Sequence, residues 1–251
     1  MADIPPGNVA VAVRPRRDRF FIVMTGLMLV IVLVGFAHTL YLRVLFDLPE
    51  IPAQLYVHGT VLTIWFSLAF VQTWLIATDR TAIHRRLGVA GMIVAVGVVV
   101  VSLITLAFRH VPFIEDDPGR AFGNLNTLNS FSICVLSAVL LRHRPAAHKR
   151  LMLFASLNIV LPALDRIGRI KPVTNFTKSV FSTLDMPPEI AFALACGVFL
   201  LLAVLIHDLF TEKRIKWATV WAIVVTLLVA PAMSMALINT GIWPNFVHLF
   251  M

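Results

Sequence analysis

The sequence predicts an all-α membrane protein with seven transmembrane helices, N-terminus inside and C-terminus outside. Three observations predict it. The 251 residues are 59% hydrophobic and 14% charged, with a mean hydropathy of +0.89, where a soluble domain carries about 25% charged residues. Seven apolar runs of about 17 to 33 residues fill nearly the whole chain, and roughly 20 residues suffice to cross about 30 Å of hydrocarbon. The short connectors between these runs hold most of the charge.

The runs are legible one by one. The first spans Phe20 to Phe46, the second Gln54 to Thr78 and the third Val89 to Phe108. The fourth, Leu125 to Leu141, is short and follows a polar start at Asn124, Asn126 and Asn129. The fifth is Leu151 to Ile170, the sixth Ile190 to Phe210, and the seventh Ala218 to Phe250. The seventh contains Pro231, which predicts a kink or a tilt. The first run is much longer than the 7–15 residues of a signal-peptide core and lacks a small-x-small cleavage site, so it is expected to remain as a span. Residues 1–18, with Pro5-Pro6-Gly7 and Arg14-Pro15-Arg16-Arg17, read as a disordered cytoplasmic tail, and residues 19–251 as the transmembrane domain.

Basic residues set the orientation. With the N-terminus inside, the inner side holds Arg14, Arg16, Arg17 and Arg19, then Arg80, Arg85 and Arg86. It also holds Arg142, Arg144, Lys149 and Arg150, and finally Lys213, Arg214 and Lys216, which makes 14 of the 21 Lys and Arg. Eight of the 13 acidic residues fall outside, among them Glu115-Asp116-Asp117. This distribution follows the positive-inside rule. It also accounts for the net charge of +8 without a nucleic-acid partner, since the cations sit at the ends of apolar runs. Cys134 and Cys196 fall within the fourth and sixth helices and form no metal or disulfide pattern.

A weak repeat organises the chain. Ala82-Ile83-His84-Arg85-Arg86-Leu87 precedes the third run, and Ala147-His148-Lys149-Arg150-Leu151 precedes the fifth, 64 residues later. Lys213-Arg214-Ile215-Lys216-Trp217 precedes the seventh, without a histidine. The expected plan is one leading helix followed by three helical hairpins. The demand of any inner turn for basic residues accounts for much of the same pattern.

The stretch from His58-Gly59 through Gln72-Thr73, Thr78-Asp79-Arg80 and His84-Arg85-Arg86-Leu87-Gly88 to Arg144-Pro145-Ala146-Ala147-His148-Lys149-Arg150-Leu151-Met152-Leu153 resembles a family of uncharacterised bacterial seven-helix inner-membrane proteins. The resemblance runs from the first helix to the seventh and implies a multi-pass protein of an inner membrane. A looser similarity is to cytochrome b561-type proteins, whose membrane histidines hold haem b. The chain departs from that pattern in lacking an outer-face histidine on its fourth helix.

Ionisable and strongly polar groups inside the membrane are the candidates for chemistry, because each is expensive there. On the outer half these are His38, His58, Asn126, Asn129, Asp165 and Arg166. His58, Trp65 and Gln72 recur every seven residues and so share one helix face, as do Asn158, Pro162, Asp165 and Arg169. The plain alternative makes Asp165, Arg166 and Arg169 a structural ion-pair cluster and each histidine an interhelical tie. On the inner face, His84 and His148 stand at similar depth just ahead of ascending helices. Two imidazoles on neighbouring helices can be axial ligands of one haem iron. The competing account leaves both beside lipid phosphates.

Three functional classes follow. One is a haem b protein for membrane electron transfer, using His38 with His58 or His84 with His148. The second is a metal-dependent intramembrane lipid hydrolase, with His38, His58 and Asp165 as the ligand set that a zinc site needs. The third is a non-catalytic subunit or assembly factor of a membrane complex, whose partners are other membrane subunits and lipids. The outer connectors Arg109 to Asn124 and Lys171 to Glu189 are expected to form short interfacial helices that bury Phe113, Phe122, Phe176 and Phe181.

Overall fold

The computed structural model describes residues 19–110, 118–240 and 242–248, and these contain helices and no strand. The long helices are α1 (Phe20–Tyr41), α2 (Ala53–Ala77), α3 (Thr81–His110), α4 (Pro118–Leu140) and α5 (Pro145–Gly168). A short α6 (Lys171–Val180) precedes α7 (Pro188–Glu212), α8 (Trp217–Asn239) and a terminal turn of helix, α9 (Ile242–His248). The expected tail over residues 1–18 and the acidic Glu115-Asp116-Asp117 stretch lie outside the described residues.

Six of these helices, α1, α2, α3, α5, α7 and α8, are long and apolar enough to cross a membrane. The chain is therefore a multi-pass membrane protein. α4 differs from its expected form. It is not short, since it runs 23 residues from Pro118, but its first turns are too polar for it to join the six. Protein rather than lipid faces those polar groups: Asn129 Nδ2 donates to Ser234 Oγ on α8 at 2.9 Å.

α5 is the central column. It packs against α1, α4, α7 and α8, and buries most of its length, including Leu151, Phe154, Ala155, Val160 and Leu164. Small residues allow the closest crossings. A Cβ on Gly35 of α1 would stand 2.9 Å from the Ala163 carbonyl carbon on α5 and closer still to its oxygen. A Cβ on Gly168 would meet Glu189 Cα at 2.8 Å. α2 and α3 pair closely, as do α4 and α5. Trp65 pins the first pair to the column, donating through Nε1 to Ser156 Oγ at 3.2 Å and meeting the Phe131 ring edge-on at 5.0 Å.

The third expected hairpin does not form as a packed pair. α7 rests on α5 and α6, and α8 on α5 and α4, so the two helices diverge from their turn at Lys213, which has φ 57°. Lipid accepts any apolar helix face, so a short connector alone does not force neighbours to pair.

Two helices carry π turns, at Ala37–Tyr41 in α1 and at Val225–Val229 in α8. The second has a clear cause. Pro231 lacks an N–H and crowds the carbonyl of Leu227, so the ladder widens just before it. At the basic end, α3 begins at Thr81 rather than near Val89, and α5 at Pro145 rather than Leu151. Both helices extend beyond their apolar run, because an intrahelical hydrogen bond still outcompetes water at a membrane boundary. His84 and His148 therefore lie on helices and not on connectors.

Candidate functional site

Extending α3 and α5 brings the two repeat histidines together. The His84 and His148 rings lie with centroids 6.5 Å apart and planes nearly perpendicular at 85°. Both are half-buried. Each Nδ1 is engaged. His148 Nδ1 is 2.9 Å from the Ala138 carbonyl on α4, so it carries the proton and leaves Nε2 as a free lone pair. His84 Nδ1 meets Gln72 of α2. In the amide orientation that satisfies every neighbour, the Gln72 nitrogen donates to the His84 carbonyl at 3.2 Å and to its Nδ1 at 2.5 Å. The Gln72 oxygen then accepts from the Gly88 N–H at 3.0 Å. Three helices thus build one polar point, and a fourth supplies the carbonyl behind His148.

Sequence reasoning placed Gln72 on the His58 and Trp65 face, and all three do turn into the bundle, yet they serve different partners. His58 is half-buried, with the Val101 backbone and the Arg166 guanidinium within electrostatic reach of its ring. Its Nδ1 has no hydrogen-bond partner among the described residues, nor do Thr105 Oγ1 and Asn126 Oδ1 in the same half of the bundle. Arg166 folds back on its own helix, donating to the Pro162 carbonyl at 2.8 Å with its guanidinium 4.3 Å from the Phe36 ring centre.

The other outer-half candidates do not join His58. His38 is exposed and packs against Phe46 at 4.5 Å. The buried stripe of α1 runs through Met28, Val32 and Gly35 and continues to Thr39, which puts His38 about 100° off it. Asp165 pairs with Arg169 at 3.0 Å, and Arg169 also reaches Glu189 at 3.6 Å. Donating to the Asp165 carboxylate raises the Arg169 pKa above its usual value. This ion cluster staples α5 to the start of α7. Among the described residues, no three His, Cys, Asp or Glu side chains are grouped to hold a metal ion. The trio of His38, His58 and Asp165 is not assembled.

One polar cluster was missed. Arg150, read as one more positive-inside cation, is fully buried and paired with Asp208 of α7, also fully buried, at 2.5 Å. Arg150 Nε reaches both carboxylate oxygens, at 2.9 and 3.2 Å, and Nη1 donates to the Ala146 carbonyl. Thr219 Oγ1 donates to Asp208 at 2.6 Å, and the Lys216 N–H does so at 3.3 Å. Asp208 thereby ties the end of α7 to the start of α8, through the Lys216 N–H just ahead of its first turn and the Thr219 hydroxyl within it. His207 beside it stacks on Phe20 at 4.1 Å, and Lys149 lies 4.3 Å over the Phe21 ring. The available signal was a single carboxylate just inside the apolar run that ends at Phe210; a charge so placed demands a partner.

Known proteins add nothing to this geometry. No family model, curated protein or solved structure matches the chain.

Proposed function

We propose that this chain is a seven-span inner-membrane protein that holds haem b between His84 and His148, as the cytochrome b561-type similarity implies. One observation carries the reading: the two imidazoles, on different helices, lie with ring centres 6.5 Å apart. With metal–imidazole bonds of about 2.0 Å, rings at that spacing would be able to hold one iron between them. Two histidines would suffice to hold haem, because the macrocycle would supply the remaining ligands of the iron.

The second ring nitrogen of His148 supports it as well. A ligating histidine is normally held by a hydrogen bond at its other nitrogen. The Ala138 carbonyl does this for His148 in the tautomer that ligation needs. At His84 the Gln72 nitrogen donates to Nδ1, so holding a metal through Nε2 would require that amide to turn and give up its bonds to the His84 carbonyl and the Gly88 N–H. A bound haem b would supply one-electron transfer within the membrane.

The test is an absorption spectrum of the purified protein reconstituted with haem. A Soret band and sharp reduced bands are expected, lost in both His84→Ala and His148→Ala while His58→Ala retains them. A colourless protein, or spectra indifferent to both inner histidines, overturns the reading.

We also propose that α4 crosses the membrane, enclosed by α3, α5 and α8, which gives the seventh span and places the basic end in the cytoplasm. Reporter fusions at Ala82 and Ala147 should then report cytoplasm, and a fusion at Asp117 the opposite side. Reversal at any two of these sites overturns the orientation.

A further inference from the structure

The outer connector between α5 and α7 was expected to bury Phe176 and Phe181; Phe181 is half-buried, but Phe176 is not. α6 forms as expected, yet Phe176 is 64% exposed. Phe113 of the other connector lies outside the described residues.

At 3.6 residues per turn, α6 divides into three sides. Lys171, Asn175 and Lys178 form an exposed polar side. Pro172, Phe176 and Val180 form an exposed apolar one, with Val180 at 53%. Val173 and Thr177 form the third, and Thr177 is 1% exposed against the bundle. The apolar side continues past the helix through Leu184 and Met186, also exposed.

The height of α6 is fixed by what holds it. Thr174 Oγ1 donates to the Gly168 carbonyl at 2.7 Å, and Gly168 itself abuts Glu189. The Asp165–Arg169–Glu189 cluster ties the same two helix ends together. α5 and α7 both belong to the membrane-crossing set. A helix clamped across their shared end lies at the boundary between headgroups and hydrocarbon. At that boundary, a bundle side, an apolar side and a cationic side match protein, acyl chains and phosphate or water.

We propose that α6 is an interfacial helix whose Phe176–Val180 edge is inserted into the phospholipid leaflet, with Lys171 and Lys178 at the level of the lipid phosphates. The partner is the bilayer surface itself. Held between α5 and α7, the helix couples the packing of that leaflet to the crossing at Gly168.

Nitroxide scanning tests this in bilayers containing phosphatidylglycerol. Single cysteines are introduced by Asn175→Cys, Phe176→Cys, Thr177→Cys, Lys178→Cys and Val180→Cys in a Cys134→Ala, Cys196→Ala background. Labels at 176 and 180 should collide severalfold more with oxygen than with a water-soluble nickel chelate, and labels at 175 and 178 the reverse. Label 177 should be shielded from both. Nickel accessibility at 176 equal to that at 175 would lift the helix off the membrane and overturn the proposal. Shielding of 176 from both reagents would do the same, because a protein partner or second copy would then cover it. Should the cysteine-free background misfold, Phe176→Trp in the native chain gives an independent readout beside the five native tryptophans. Lipids brominated high on the acyl chain should quench a larger share of its fluorescence than of the parent's, and an unchanged share overturns the insertion.

Discussion

Asp208→Ala is expected to destabilise the protein by about 3–5 kcal/mol, the range for removing one member of a buried ion pair. The substitution leaves the fully buried Arg150 guanidinium facing apolar neighbours without its counter-charge. It also strips the acceptor from the Thr219 hydroxyl and from the Lys216 N–H, so the start of α8 loses its tie to α7. Lower yield and a large drop in midpoint temperature in detergent should report it. The double substitution Arg150→Met with Asp208→Leu should recover most of the loss, since replacing both charges by apolar groups is often neutral. Thr219→Val should cost about 1.5–3 kcal/mol, as one hydrogen bond to the charged Asp208 is lost while its other donors remain. A single substitution no worse than the double would refute the pairing as a stability element.

The second large effect is expected at Gly35. Any side chain there would collide with the Ala163 backbone of the central helix, and a backbone atom cannot rotate out of the way. Gly35→Ala should therefore force α1 and α5 apart and cost about 1–3 kcal/mol, the usual range for overpacking. Gly35→Leu should prevent stable assembly. Gly123→Ala is the matched control, because a Cβ there meets nothing within 4 Å. Thermal unfolding of the three variants decides the matter, and a Gly35→Ala protein as stable as the control would show that the crossing is looser than described.

Parts of the candidate site were legible in the chain. His84 and His148 stood out as the histidine-bearing copies of a repeat on two inner turns, and the structure brings their rings together. Gln72 was legible only as an inward-facing amide. That it serves His84 and not His58 depends on how α2 and α3 fold back at Asp79, whose φ of 63° makes the turn tight. The outer-half grouping was partly misread. It assumed that polar groups at equal depth meet, whereas Asp165 finds Arg169 on its own helix, one turn away. Local partners cost less conformational entropy than distant ones, and an i, i+4 ion pair needs no tertiary structure at all.

The sequence by itself determined that this protein lives in a membrane and which stretches are apolar enough to cross it. That information is local, since a run of about 20 apolar residues can satisfy its backbone in hydrocarbon only as a helix. It also determined the basic end, because cations collect at chain positions that tertiary packing does not move. Only the tertiary structure decided which side of each helix faces protein. In α1 the residues from Phe20 to Phe36 are apolar except for Thr25 and the small Gly26 and Gly35, so only Thr25 and Gly35, on the stripe of Met28 and Val32, set the buried side apart from the exposed Val23 and Val30. A soluble helix betrays its buried side by contrast with a polar one; lipid removes that contrast. The same reason hid the Arg150–Asp208 pair. Its members stand 58 residues apart on helices whose apolar surfaces permit many rotations, and only the packed bundle selects the one that closes it.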